Sequence, residues 1–198
     1  MSVILGLTGS IGMGKSTTTG FFRDAGVPVW DADAAVHALY ARGGAAVPAI
    51  AQLNPAAVTD AAVDRAVLRD WIGSDPGALK RIEGVVHPLV AGSRARFLHE
   101  HAAAPLVVLD VPLLFETGGD AWCDATLVVS APPEVQRARV LARPGMSEAH
   151  LQTMLSKQMP DPQKRARATH VIETLTLDQT RGAVLDLIAH LTGKQRDA

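Results

Sequence analysis

Gly9-Ser10-Ile11-Gly12-Met13-Gly14-Lys15-Ser16 meets the pattern G-x-x-x-x-G-K-[ST] at every fixed position. Val3 to Thr8, just before it, is an apolar run ended by glycine, as expected of a strand buried on both faces of a parallel sheet. Lys15 to Ala25 then reads as a helix, Gly26 closes it, and Val27 to Trp30 supplies a second apolar strand. The opening of the chain is thus a βαβ unit with a glycine-rich turn at its first strand-to-helix junction. Glycines reach conformations that a Cβ forbids, so several backbone N–H groups can surround one anion, and the helix N-terminus adds its unpaired donors. Gly9, Ile11, Gly12, Met13, Gly14, Lys15, Ser16 and Thr17 are expected to bind ATP, with Lys15 on the β and γ phosphates and the Ser16 hydroxyl on Mg²⁺.

Outward from this unit, Leu106 to Val111, Thr126 to Ser130 and His170 to Glu173 repeat the buried-strand pattern. Helical patterns cover Asp33 to Tyr40, Asp60 to Trp71, Pro76 to His101, Pro133 to Ala142, Glu148 to Met159 and Leu177 to Leu191. Alternating strands and helices predict an α/β fold with a doubly wound, five-stranded parallel sheet. With 198 residues, 47% of them apolar, one domain with a substantial core is expected. The polar end, Gly193 to Ala198, is expected to fray.

Nineteen basic and twenty acidic residues give a formal charge of −1, which argues against nucleic acid or an anionic membrane as a partner. No basic leader precedes the first strand, and no apolar stretch reaches the roughly 18 residues of a membrane span, so a cytoplasmic protein is expected. Cys123 stands alone, which excludes an internal disulfide, and its neighbours Trp122 and Asp124 offer no cation to stabilise a thiolate. Basic residues gather only in Glu134 to Ala168, where seven oppose three acidic ones, a local +4. That run is either a solvated helical face or a lid that closes on phosphates.

Three further features bear on the second substrate. Asp31-Ala32-Asp33 follows the second strand, at the carboxyl edge where open α/β sheets bind ligands. One of these carboxylates is expected to cap the next helix, and the other to act on an acceptor hydroxyl; position alone does not separate them. Asp110 ends the third strand, where a carboxylate can join a metal shell, and Glu116 follows in Val111-Pro112-Leu113-Leu114-Phe115-Glu116. His87-Pro88 is expected to break a long helix, since proline biases its predecessor away from helical geometry.

The run from Gly6 to Thr17, Asp31-Ala32-Asp33, His87-Pro88-Leu89-Val90 and Val111 to Glu116 together resemble the dephospho-CoA kinase family, in order and spacing over most of the chain. The resemblance implies a P-loop kinase fold and Mg²⁺·ATP-dependent phosphorylation of the ribose 3′-hydroxyl of dephospho-CoA. It implies Asp33 as the base, Arg139 as a lid cation on the transferring phosphoryl group, and Arg143, one turn further on, as a second ATP ligand. Thr8, Asp33, His87, Leu114 and Glu116 fall on acceptor-side positions, while Gln158 and Lys164 match a later lid pattern. The implied organisation is a nucleotide-binding core (about 1–32, 105–132 and 168–198), a helical acceptor region (about 33–104) and a lid (about 133–167). Two positions depart from the family. Gly73 stands where a phenylalanine is usual, with Trp71 nearby to fill the space, and Glu173-Thr174-Leu175 replaces an asparagine-containing ending.

Other P-loop readings are a kinase for another small acceptor, such as a nucleoside monophosphate, or a GTP-dependent switch. The switch requires an Asn-Lys-x-Asp motif, and the sole asparagine, Asn54, precedes proline. Oligomeric state leaves no mark in the sequence.

Overall fold

The structure is a computed structural model that describes residues 2–193; residues 194–198, most of the stretch expected to fray, lie outside the described residues. In chain order its elements are β1 (Val3–Thr8), α1 (Lys15–Asp24), β2 (Val29–Asp31), α2 (Ala32–Tyr40), α3 (Val47–Leu53), β3 (Val58–Thr59), β4 (Ala62–Val63), α4 (Arg65–Ser74), α5 (Ala78–Glu100), β5 (Leu106–Asp110), β6 (Ala125–Ser130), α6 (Pro133–Leu141), α7 (Glu148–Leu155), α8 (Asp161–Arg167), β7 (His170–Glu173) and α9 (Leu177–Thr192). They form two compact units, Met1–Trp30 with His101–Ala198, and Asp31–Glu100.

The first unit is built on the five-stranded sheet β2-β5-β1-β6-β7, in which β1 pairs in parallel with β5 and β6, and β6 with β7. The chain steps from β1 to one side of the sheet for β2 and β5 and to the other for β6 and β7. The loop after β1 therefore leaves the sheet at its topological switch point, where such folds bind ligands. Central strands β5 and β6 are buried at every residue, which is why they read as continuous apolar runs rather than alternating ones. Leu5, Leu7 and Leu127 are fully buried with Phe22 of α1 and Val184 of α9, each leucine contributing about 1.5–3 kcal/mol by leaving water. Gly6 lets other groups approach β1: a Cβ there would lie 2.7 Å from Cys123 Sγ and 2.8 Å from Leu114 Cδ2. Cys123 is thus a half-buried packing residue, its thiol directed at the Gly119 carbonyl, 3.6 Å away.

The second unit is helical. Ile50 of α3, Val63 of β4, Leu68 of α4 and Ile82 and Val86 of α5 form its core, with Trp71 half-buried against them and Arg81 5.3 Å above the indole ring. Two expectations fail here. No helix begins at Asp60: Asp60 and Ala61 have φ of 50° and 59° and form the two-residue turn of the β3–β4 hairpin. Helix α4 starts only at Arg65, after Asp64 caps it through the Ala66 and Val67 amides. Pro88 lies inside α5 and does not end it. Proline removes one N–H and crowds the carbonyl four residues back, which here belongs to Gly84, a residue with open space around its Cα.

Beyond these, the stretch Glu148 to Met159 is not one helix. It ends at Leu155, and α8 begins after Pro160, which precedes the new helix as its N-cap.

Candidate active site

Helices α2, α4, α7 and α9 are each capped by a side chain, of Asp31, Asp64, Ser147 and Thr176. Helix α1 is different: its cap is Gly14, at φ 85°, with no side-chain hydrogen bond and no acidic residue in the first turn. Its first amides are left for an external anion. The exposed Ser16 and Thr17 stand in that turn.

Packing from behind shapes the loop. A Cβ on Gly9 would meet Val129 Cγ2 at 2.5 Å, one on Gly12 (φ 78°) would meet Val140 Cγ2 at 2.6 Å, and one on Gly14 would meet Thr174 Oγ1 at 2.9 Å. The Thr174 hydroxyl donates to the Met13 carbonyl at 2.9 Å, and the Ala131 amide lies 3.0 Å from Met13 Sδ. Two glutamines hold Ile11: Gln136 Nε2 donates to its carbonyl at 2.8 Å, and its amide donates to Gln158 Oε1 at 3.2 Å. Lys15 Nζ sits 2.5 Å from Asp110 Oδ1, while Asp110 Oδ2 accepts from the Thr19 hydroxyl at 2.7 Å. Asp110 is buried, while the Lys15 side chain stays 19% exposed.

Around the loop lies a cavity of about 300 Å³ lined by Gly12, Gly14, Thr17, Arg139, Arg143 and the stretch 174–177. The Arg139 guanidinium donates to the Thr174 hydroxyl and to the Thr174 and Leu175 carbonyls. Arg143 makes no ion pair among the described residues. Sequence reasoning missed Thr176, Leu177 and Thr180 as cavity lining, and saw residues 173–175 only as a departure from a pattern. Their place in the loop and helix that follow the last strand, at the carboxyl edge of the sheet, was the available signal.

Three residues expected on the acceptor side lie in the first unit. Thr8 is fully buried, its hydroxyl donating to the Pro112 carbonyl at 3.0 Å. Leu114 is fully buried against Gly6 and Gly119, and Leu113 is the exposed leucine. The segment after β5 turns instead of continuing extended, with Leu114 inside and Leu113 outside. Glu116 accepts from the Met159 amide at 2.7 Å and pairs at 2.9 Å with Lys164, a lysine with no exposed side-chain surface. Burial alone would raise the Glu116 pKa, but hydrogen bonds from Lys164 and Met159, with the lysine's charge, hold it below the usual carboxylate value. Much of the positive charge in residues 134–168 is compensated in the same way: Arg137 pairs with Glu148 and Arg167 with Asp120, both at 2.8 Å.

In the helical unit, Asp31 is the cap, accepting from the Ala34 amide at 2.9 Å. Asp33, in the first turn of α2, is exposed and lines a cleft of about 450 Å³ together with His87 of α5, Tyr40, Arg65 and Arg69. The two residues expected on the acceptor side from this unit thus share one cleft.

A glycine-rich phosphate loop at the switch point of a five-stranded parallel sheet, with Lys15 paired to the buried Asp110, defines a P-loop nucleotide-binding protein. Residues 3–178 match the sequence profile of the dephospho-CoA kinase family. A dephospho-CoA kinase of Jannaschia sp. (strain CCS1) is 66% identical over 97% of this chain and 98% of its own length. The crystal structure of TT1252 from Thermus thermophilus superposes with a TM-score of 0.80 at 38% identity, covering 96% of this chain and 97% of that one. The dephospho-CoA kinase from Campylobacter jejuni shares the fold, with a TM-score of 0.73 at 19% identity over 98% of each chain. The chain belongs to the dephospho-CoA kinase family. No helix among the described residues is long and apolar enough to cross a membrane.

Proposed function

We propose that this chain transfers the γ-phosphoryl group of ATP to the ribose 3′-hydroxyl of dephospho-CoA, giving coenzyme A and ADP. The observation that carries the proposal is the pairing of functions in one chain: an uncapped phosphate loop with Lys15, and an apolar cleft that presents the exposed carboxylate of Asp33 beside His87.

Donor binding rests on the amides of Gly12 to Thr17 and on Lys15, which exchanges Asp110 for phosphate oxygens. Arg139, fixed on Thr174 and Leu175, has further N–H groups to offer the nucleotide, and Arg143 adds an uncompensated charge. Residues 133–167 serve as the lid, and residues 33–104 as the acceptor region. The Ser16 hydroxyl and the Asp110 carboxylate are hard oxygen donors suited to Mg²⁺. Among the described residues no three His, Cys, Asp or Glu side chains form a metal cluster, which fits an ion that arrives with the nucleotide's own phosphates. When bound, Mg²⁺ neutralises phosphate charge. Asp33 orients the acceptor hydroxyl and takes its proton. Catalysis here is positioning and electrostatics, without a covalent intermediate.

An ADP-release assay with dephospho-CoA, AMP, adenosine and no acceptor tests the reading. ADP release that depends on dephospho-CoA is expected; release indifferent to it overturns the proposal, and preference for AMP would identify a nucleoside monophosphate kinase.

A further inference from the structure

Lys15, Arg137, Lys164 and Arg167 of the first unit are each paired with a carboxylate, of Asp110, Glu148, Glu116 and Asp120. Arg139 is held differently. It stands in the last turn of α6, and its three hydrogen bonds run to neutral oxygens: the Thr174 hydroxyl at 3.0 Å and the Thr174 and Leu175 carbonyls. Its charge is fixed in place without being cancelled, and two of its five N–H groups remain for a ligand.

Thr174 is the centre of that arrangement. It follows the last residue of β7, and its amide donates to the Ser130 carbonyl at 2.9 Å, which carries the pairing with β6 one residue further and ties Thr174 to the sheet. The residue is 4% exposed, and its hydroxyl and methyl groups occupy the space that a Cβ on Gly14 would need. A hydroxyl has one hydrogen to donate. Here it goes to the Met13 carbonyl at 2.9 Å rather than to the Ser130 carbonyl at 3.3 Å, while the oxygen accepts from Arg139. Arg139, Thr174 and the Met13 carbonyl thus form a chain of hydrogen bonds running in one direction, in which each bond polarises the next. The Met13 carbonyl shares its peptide group with the Gly14 amide, one of the amides assigned above to the donor phosphates.

We propose that Thr174 is a positioning residue for phosphoryl transfer: its hydroxyl sets Arg139 against the phosphate loop before the nucleotide arrives. This inference rests on the reading of Arg139 as a cation for the donor phosphates. A loose arginine gives up its rotamer freedom when a ligand binds, whereas one clasped to the sheet has already done so, and it presents its charge with little reorganisation.

The test is steady-state ADP release by the full chain carrying Thr174→Val, Thr174→Ser, Arg139→Met, or Thr174→Val together with Arg139→Met, with melting temperatures to establish folding. Valine keeps the shape of threonine and removes the hydroxyl. It is expected to lower kcat about tenfold and leave the KM for dephospho-CoA unchanged, whereas serine, which keeps the hydroxyl, holds kcat within about twofold of the parent. With Arg139 already replaced, valine is expected to cost less than about twofold more, because the two residues act as one unit. Parent-rate turnover by Thr174→Val overturns the inference, as does an undiminished tenfold loss in the Arg139→Met chain or a serine variant as slow as the valine one. Should Thr174→Val not fold, Thr174→Ala supplies the same comparison. An Arg139→Met variant that works at the parent rate would instead remove the reading of Arg139 on which the inference stands, and ADP release by the parent chain that ignores dephospho-CoA would remove the proposed function itself.

Discussion

In the donor cavity the contact surface is largely backbone, with Gly12 and Gly14 at positive φ and their Cα atoms pressed against Val140 and Thr174. The acceptor cleft is walled by helical side chains, Val36, Leu68, Ile82 and Val86 among them, and carries its polar groups at the rim of those helices. A surface of amides recognises any phosphate and tolerates almost no substitution. A surface of side chains can be apolar in many ways, and its selectivity depends on where a few charged groups stand. On the proposed function, one region would hold the phosphate donor and the other would select the acceptor.

Substitutions can separate the two. Asp33→Asn is expected to have the largest effect, a fall in turnover of about 10²–10⁴-fold with ATP affinity unchanged, measured by ADP release and nucleotide calorimetry. Turnover at the parent rate would take the proton-transfer role from the acceptor side. Lys164→Met leaves Glu116, itself an exposed residue, without its cation and is expected to cost about 1–3 kcal/mol in urea unfolding, with Glu116→Gln in the same chain restoring part. Because the folded-state pKa of Glu116 is depressed, its stabilising contribution is present above the unfolded carboxylate value and is lost as pH falls through the lower, folded one. Glu116→Gln should therefore flatten the acid limb of a stability–pH curve and lower its neutral region, where the pair contributes.

The smaller effects contrast glycines. Gly14→Ala forces a Cβ into left-handed backbone and against Thr174, at about 1–2 kcal/mol, and should weaken ATP binding while dephospho-CoA binding persists. Gly92→Ala, in the exposed interior of α5 with open space around it, should raise stability by about 0.5–1 kcal/mol and change neither affinity. A loss of ATP affinity in the Gly92 variant would blur the distinction between the regions.

The donor side was legible because its chemistry demands particular residues. Only glycine suits φ near 80° beside a packed neighbour, and only a lysine at that spacing reaches two phosphates, so eight consecutive residues carried the reading. Strands β1 and β7 fell where their apolar runs placed them. Residues 58–63 were illegible for the opposite reason: Asp60-Ala61 turns a hairpin with both residues left-handed, a geometry normally signalled by Asn-Gly or Asp-Gly, so helical periodicity prevailed. Likewise a turn that no local pattern announces leaves Leu114 buried and Leu113 exposed, and Lys164 pairs with Glu116, 48 residues away in sequence, a pairing only tertiary structure reveals. His87 and Asp33 were placed through family likeness, since a lone histidine on a helix says nothing about the cleft it lines.

The contact between Lys15 and Asp110 has one more consequence. With Asp110 beside it, the ammonium group carries no unbalanced charge while the loop is empty, and a phosphate entering the loop replaces one negative partner with another. On the proposed function, a ligand carrying several phosphate charges would displace Asp110 from Lys15 more readily than a small monoanion would. The pair would then favour polyphosphate ligands over small anions before any base or sugar is read.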